Sequence, residues 1–369
     1  MNPAALAVTC FFPLIGRPRL ACPALPARVT EIAEIAQTAA RDGADGLAEG
    51  AHALNKAALL ASDCGLALLA RDLCWQHINI YRAAPRPLTI LQARYMLEPV
   101  VNLARLQIRA SDGQQALDLL TSMFQAVSSN TDLIIDGQVL PLANLTGTCD
   151  ERHKLREWVW LHLVGDGVRA LALAGRWDDA VNHADTHRGI GLHLLEGRQA
   201  KILAHCLNGT SAAARAALAE STPTNPWEFQ VASCLEAMCT EGAPTGRSIA
   251  TMIGYFRGQR PVPGYTVFRA HLGMTVAALA TATDRDAAVR VFAQVVNEVI
   301  EAEDGYAARD VLRFHHTHAV ELPAAKGKAL ADLLGASGLR AGPPPEPVLD
   351  AILSAARTAE AAIAASIHP

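Results

Sequence analysis

The stretch LALAGRWDDAVNHAD, Leu171 to Asp185, decides the fold. An apolar helical run ends at Gly175, Trp177 follows, and a second run starts at once. Glycine stops a helix cheaply because it enters left-handed backbone without steric cost. Asp178 and Asp179 suit a helix start, where carboxylates meet unsatisfied N–H groups and the positive end of the dipole. Ala180 is small enough for the next helix to pack closely. The same residues admit a chemical reading, because His183 and His187 lie one turn apart and share a face with metal-chelating spacing. A zinc-protease site needs H-E-x-x-H, however, and Ala184 leaves it without a general base. The stretch reads first as an architectural joint.

The same punctuation recurs along the chain. ASDCGLALLA carries Gly65 and Ala70, and RASDGQQALDLL carries Asp112, Gly113 and Ala116. LNGTSAAARAAL has Gly209 and Ala214, and TATDRDAAVRVF has Asp284 and Ala288. Between these turns, apolar residues keep a helical period. Helices are expected at 29–41, 44–62, 65–82, 87–110, 113–128, 152–174, 177–188, 192–207 and 211–220. They continue at 227–240, 246–257, 266–282, 285–303, 306–320 and 325–337. Short turns between such helices imply antiparallel neighbours stacked side by side. Residues 1–28, with five prolines, read as an irregular arm. The segment 29–340 reads as the helical domain, and 341–369 as a GPPPEP linker followed by a last helix, VLDAILSAARTAEAAIAAS.

From Ala180 to Ala214 is 34 positions, the period of a tetratricopeptide repeat. RALALAGRWDDAVNHA resembles the helix A–turn–helix B junction of that family through Gly175, Trp177, Ala180 and Val181. VVNLARLQIRASDGQQALDLL resembles it through Leu103, Ala104 and Ala116, and ALNKAALLASDCGLALLA through Leu54, Ala58, Gly65 and Ala70. Val168 and His187 depart from the small residues expected there, and the closing proline is missing. The resemblance covers roughly 44–303 and implies an all-α, right-handed solenoid of antiparallel helical hairpins. The chain also resembles the helical-repeat regions that actinobacteria attach to helix-turn-helix regulators, without a DNA-binding segment ahead of them here.

One insertion, 129–150, interrupts the pattern between the second and third helical pairs. In TDLIIDGQVLPLANLTGTCD, aliphatic and β-branched residues flank Asp136-Gly137. Asp-Gly between such runs signals a β-hairpin near 131–141, since both central residues of a type I′ turn need positive φ.

Composition narrows the function classes. Half the 369 residues are hydrophobic and only 5% aromatic, which favours helices built from alanine and leucine. The net charge of -4 and the lack of a basic stripe disfavour direct nucleic-acid binding. Eight cysteines are scattered without a C-x-x-C pair, which fits buried free thiols in a reducing cytoplasm. The first 22 residues lack a positive charge ahead of their apolar part, Pro13 interrupts it, and Arg19 spoils a lipobox at Cys22. No apolar run reaches the roughly 20 residues of a membrane span. A cytoplasmic protein is expected.

Catalytic motifs are weak. RFHHTHAVEL supplies His315, His316 and His318, of which His315 and His318 fall near one face, with Glu321 as the only nearby carboxylate. His183, His187, His315 and His318 are thus metal candidates of low standing, and no metal or cofactor is expected. Asp178-Asp179 lacks the third carboxylate of a D-D-x-x-D magnesium patch, and NEVIEAED is a loose counterpart, which disfavours terpene cyclisation. No G-x-S-x-G, P-loop or G-x-G-x-x-G occurs. Trp75 and Tyr81 read as packing, and of Trp158 and Trp160, two apart on a helix, one is expected in the core and the other at a groove or interface.

The family geometry places the first helix of each pair on the concave face. His52, Asn55, Glu98, Asn102, Arg105, Arg109, His162 and Arg169 are the candidates there. Such side chains suit an extended peptide, pairing its backbone and carboxylates, and Arg105 and Arg109, one turn apart, can clamp an anion. The expectation is a non-catalytic protein- or peptide-binding module acting as adaptor or regulator. The alternative is an enzyme or small-ligand binder of bacterial specialised metabolism that uses the same concavity.

Overall fold

The computed structural model describes residues 3–43, 46–84, 87–240, 244–318, 320–339 and 341–367. The expected helix start at 44 and residue 319 of the 306–320 helix lie outside the described residues. In chain order the first elements are α1 (Pro3–Val8), α2 (Leu25–Asp42), α3 (Leu47–Asp63), α4 (Ala67–Arg82), α5 (Ile90–Arg109) and α6 (Gly113–Ser129). Strands β1 (Leu133–Ile135) and β2 (Gln138–Leu140) precede α7 (Cys149–Leu173), α8 (Trp177–Thr186), α9 (Glu196–Leu207) and α10 (Ser211–Ala219). Then come α11 (Pro226–Met238), α12 (Gly246–Gly258), α13 (Thr266–Ala280), α14 (Arg285–Ala302), α15 (Gly305–His318), α16 (Ala324–Ala336) and α17 (Glu346–Ile367). The fold is all-α with one small inserted hairpin, an array of paired helices. None of the described helices is long and apolar enough to cross a membrane.

The turn chemistry works as read. Gly175 has φ +72°, the left-handed conformation that closes α7, and Trp177 opens α8 with its ring buried. Asp112 and Asp284 accept hydrogen bonds from the backbone N–H of Gln115 and Ala287, capping α6 and α14. Ala70, Ala116, Ala180, Ala214 and Ala288 are all buried, so each second helix does present its small residue to a neighbour.

Residue contacts group the chain into two compact units, 24–170 with 338–369, and 1–23 with 171–337. In the first, α3 and α4 form one helical hairpin and α5 and α6 the next, with α3 and α4 both packing on α5. The last helix is no detached tail. α17 lies against α2 and α3, and Ile352, Ala356, Ala359 and Ile363 join the same core as Leu54, Ile78 and Leu97. Gly50 makes that approach possible, since a Cβ there would lie 2.7 Å from Ile363 Cγ1 and 3.1 Å from the Ala359 carbonyl. The hairpin forms where Asp136-Gly137 predicts it, with φ +51° and +75° at the two turn residues and Leu133 paired to Leu140. Leu133, Ile135 and Leu140 enter the core, while Arg71 on Asp136 (2.6 Å) and Arg82 on the Val139 carbonyl (2.8 Å) pin the outer side to α4.

In the second unit, α9/α10, α11/α12, α13/α14 and α15/α16 form successive hairpins, and their first helices α9, α11, α13 and α15 touch in order. Two expectations shift. The irregular arm holds α1 and yields to α2 at Leu25, with Pro26 in the first turn, where a missing N–H is harmless. The helix expected from 192 starts at Glu196. Gly189 and Gly191 disfavour helix, and side chains claim the loop's backbone instead. Glu228 accepts from the Leu194 N–H (3.0 Å), while Gln199 and Arg198 donate to the carbonyls of Leu194 (2.6 Å) and Gly191 (2.7 Å).

Candidate functional site

Three first-position helices of the 24–170 unit carry the polar residues singled out by sequence. Along α5, Arg94, Glu98, Asn102, Arg105 and Arg109 recur at three- and four-residue steps, so they form one stripe. Asn55 on α3 joins it: its side-chain amide donates to Glu98 Oε2 (2.8 Å) and its oxygen accepts from Asn102 (3.2 Å). Burial pushes the Glu98 carboxyl above its ordinary range, against the opposing pull of Arg94 and Asn55. Asn102 is buried, and the amide pair satisfies it there.

The two arginines are not bare cations. Arg105 grips Asp166 of α7 with a fork, Nε to Oδ1 (3.3 Å) and Nη2 to Oδ2 (3.1 Å). His162 shares the same carboxylate through Nδ1 (3.0 Å), so that nitrogen carries the hydrogen toward an ionised Asp166. Burial raises the Asp166 carboxyl, but the His162 hydrogen bond and the Arg105 charge outweigh it and hold the group well below the usual carboxylate range. One turn on, Arg109 meets Asp63 at the end of α3 (3.0 Å) and donates to Ser62 Oγ (2.5 Å). Arg28 of α2 bonds the other Asp63 oxygen (2.5 Å). Both stripe arginines keep about two-fifths of their side chains exposed, 43% for Arg105 and 42% for Arg109. Buried carboxylates fix both guanidiniums in place while leaving each side chain part-exposed.

Arg94 lies over the Trp158 ring, 5.5 Å from its centroid, and the Trp158 and His162 rings meet edge to face with centroids 4.7 Å apart. His52 is exposed on α3 and Arg169 half-buried on α7; among the described residues neither makes an ion pair. Asn55, Glu98 and Asn102 therefore come together directly, Arg105 and His162 through Asp166, and Arg109 next to them through Asp63. Sequence reading missed Asp63 and Asp166; for the tryptophans it left open which of Trp158 and Trp160 lies at the groove, and Trp158 is the one beside Arg94 and His162. Asp166 follows His162 by four residues, a same-face spacing that was there to be used.

The cleft between α3 and α5 is shallow. Lined by Ala58, Ser62, Cys74, Asn102, Arg105 and Arg109 among others, it holds about 10 Å³, room for a single water. Burial pushes the Cys74 thiol up to about 12, so it stays protonated and is a poor nucleophile. The stripe sets hydrogen-bond donors and acceptors in register along α5.

The histidine candidates lie in the 171–337 unit. His183 and His187 stack edge to face, 4.8 Å apart, at the end of α8. His315 Nδ1 lies 2.6 Å from the Val320 carbonyl. His318 stacks on Phe314 (4.2 Å) and puts Nε2 3.1 Å from the Ala7 carbonyl. Among the described residues, no group of three or more His, Cys, Asp or Glu gathers as a metal set. A buried aspartate is again the organiser here: Asp310 bonds His271 Nε2 (2.8 Å) and Arg309 Nε (2.8 Å). No protein-family model, curated protein or solved structure matches the chain.

Proposed function

We propose that the protein is a non-catalytic, cytoplasmic helical-repeat module of tetratricopeptide type that binds an extended segment of a partner protein as an adaptor or regulator. Its kinship with actinobacterial helical-repeat regulators belongs to the same proposal. The observation that carries it is the pre-set pair Arg105 and Arg109, each rooted on a buried aspartate and each with about two-fifths of its side chain exposed. Guanidiniums already held in place lose little freedom when they take a carboxylate or a run of backbone carbonyls. Asn55, Asn102 and His162 extend the polar row alongside, with His52 and Arg169 at its margins. A small-molecule enzyme would call for an enclosed apolar pocket with converging ionisable groups, whereas the space beside Asn102, Arg105 and Arg109 fits one water.

The test is fluorescence anisotropy against an array of labelled peptides, each made with a free and with an amidated C-terminus. Binders should favour free or acidic termini and weaken as salt rises. Arg105→Gln and Arg109→Gln should each cost about tenfold in affinity, the scale of one charge-assisted hydrogen bond. Unchanged affinity in the double variant, with its melting temperature intact, sinks the assignment.

A further inference from the structure

The unit of residues 1–23 and 171–337 holds an irregular stretch of its own chain, residues 12–22, which follows α1 and a short 3-10 turn at Thr9–Phe11. From Ala7, whose carbonyl meets His318, the chain passes Phe11 between the rings of His271 (5.4 Å) and Phe314 (5.8 Å). It reaches α9 at Leu14, where Gln199 pairs both main-chain groups: the Leu14 N–H donates to Oε1 (2.8 Å) and Nε2 donates to the Leu14 carbonyl (2.7 Å). It then runs across the N-terminal ends of α11, α13 and α15. Gly16 lies on the Trp227 indole, Arg19 N–H donates to the Gly264 carbonyl (2.7 Å), and Cys22 N–H donates to Asp304 (3.2 Å). The Gly305 N–H closes the path on the Cys22 carbonyl (2.8 Å).

This is how a receptor reads a peptide: backbone groups paired by fixed side chains, and a few pockets for selectivity. Phe12, Leu14 and Cys22 are buried, while residues 17–21 are exposed, Leu20 by 67%. The grip is thus concentrated at two ends. Selectivity has two sharp points. A Cβ on residue 16 would lie 2.2 Å from Trp227 Cγ, so only glycine fits, and Arg17 pairs with Glu196 at 3.0 Å.

We propose that the face formed by α9, α11, α13 and α15 is a peptide-binding groove, that residues 12–22 are its built-in occupant, and that a partner protein's extended segment of the pattern apolar–x–Gly–Arg takes their place. This site is separate from the arginine stripe and does not depend on it. A tethered occupant competes at an effective concentration near millimolar, so the groove stays closed to weak segments until the strap is released.

The experiment uses the full chain with a protease site inserted between Pro23 and Ala24, purified folded and then cut. The probe is a fluorescein-labelled synthetic peptide of residues 10–23. The expected result is exchange into the cut protein with at least tenfold tighter apparent binding than to the uncut one. The Gly16→Ala peptide and the Gln199→Leu protein should each weaken binding at least tenfold. A second peptide, keeping only Leu14, Gly16 and Arg17 in an unrelated background, should bind within tenfold of the first. Retention of the cut strap without exchange, or loss of helicity on its release, makes it an integral structural element and overturns the proposal. So does equal binding of the Gly16→Ala peptide, or failure of the second one. A dimer that forms in place of peptide capture assigns the groove to a second copy and overturns the partner.

Discussion

His77 offers the sharpest perturbation of the 24–170 unit. It sits on α4, 1% exposed, and neither ring nitrogen has a hydrogen-bond partner among the described residues. Its neighbour Tyr81 has an equally unpartnered hydroxyl, the rings tilted at 5.6 Å. Burial lowers the His77 pKa from the ordinary 6.5 to about 3. The imidazole is therefore neutral when folded, whereas the unfolded chain takes a proton below pH 6.5. Because the folded pKa of this base is depressed, acid favours the unfolded state: stability is full above about 6.5, falls between 6.5 and 3, and levels off below. Between pH 7 and pH 5 the loss from this one group is about 2 kcal/mol, at 1.36 kcal/mol per unit. That is a substantial share of the roughly 5–15 kcal/mol that holds a domain. His77→Leu keeps the volume and removes both the titration and the orphaned nitrogens. At pH 7 it should match the parent or exceed it by about 1 kcal/mol, and at pH 5 its advantage should grow by about 2 kcal/mol. Urea denaturation followed by circular dichroism at both pH values reads the difference, and other histidines cancel in it. Asp166 and Asp310, held low by their partners, lose their contribution only as pH drops through the carboxylate range, below this window. An advantage that stays constant from pH 7 to pH 5 would refute a neutral, unpartnered His77.

Two further outcomes follow from packing. The thiols of Cys206 and Cys239 lie 3.6 Å apart in the core of the 171–337 unit, so diamide should close a disulfide between them, and slowly, because both are buried. Peptide mapping should find that link absent from Cys206→Ser, while the exposed Cys10 and Cys149 are alkylated first. Gly50→Val drives a side chain into Ile363 and the Ala359 carbonyl. It should cost about 1–3 kcal/mol by overpacking and speed amide exchange in α17; unaltered exchange there would mean that α17 does not need the close approach.

What was legible in the sequence is what local chemistry decides. A glycine that closes a helix, an aspartate that caps the next and an alanine that admits a neighbour act within five residues, and all of them do so around Gly175, Asp112 and Ala180. Asp136-Gly137 specifies its own turn in the same way. Arg105 and Arg109 show the opposite case. Their spacing on α5 was plain, but their meaning depends on Asp166 and Asp63, which are 61 and 46 positions away. Periodicity reports that a residue faces a neighbour, not which charge that neighbour carries. The spacing that suggests an anion clamp therefore says nothing of the aspartates on which both arginines rest.

The arm illustrates a deeper limit. Five prolines before residue 29 rule out a continuous helix, and between the 3-10 turn at Thr9–Phe11 and α2 few backbone groups pair locally. Backbone groups of 12–22 that find no local partner must find one elsewhere in the fold, as Leu14 does on Gln199 and Cys22 on Asp304. Gln199 lies 185 positions from Leu14, and no local pattern in either segment announces the other. The clue was the alternation within the arm itself: Phe12 and Leu14 are large and apolar, Gly16 is minimal, and Arg17 is charged. Packing against Trp227 leaves no room for a Cβ at residue 16, and Arg17 beside it pairs with Glu196. Irregular segments that mix buried-type anchors with a lone glycine and a paired charge are therefore better read as packed straps than as loose tails.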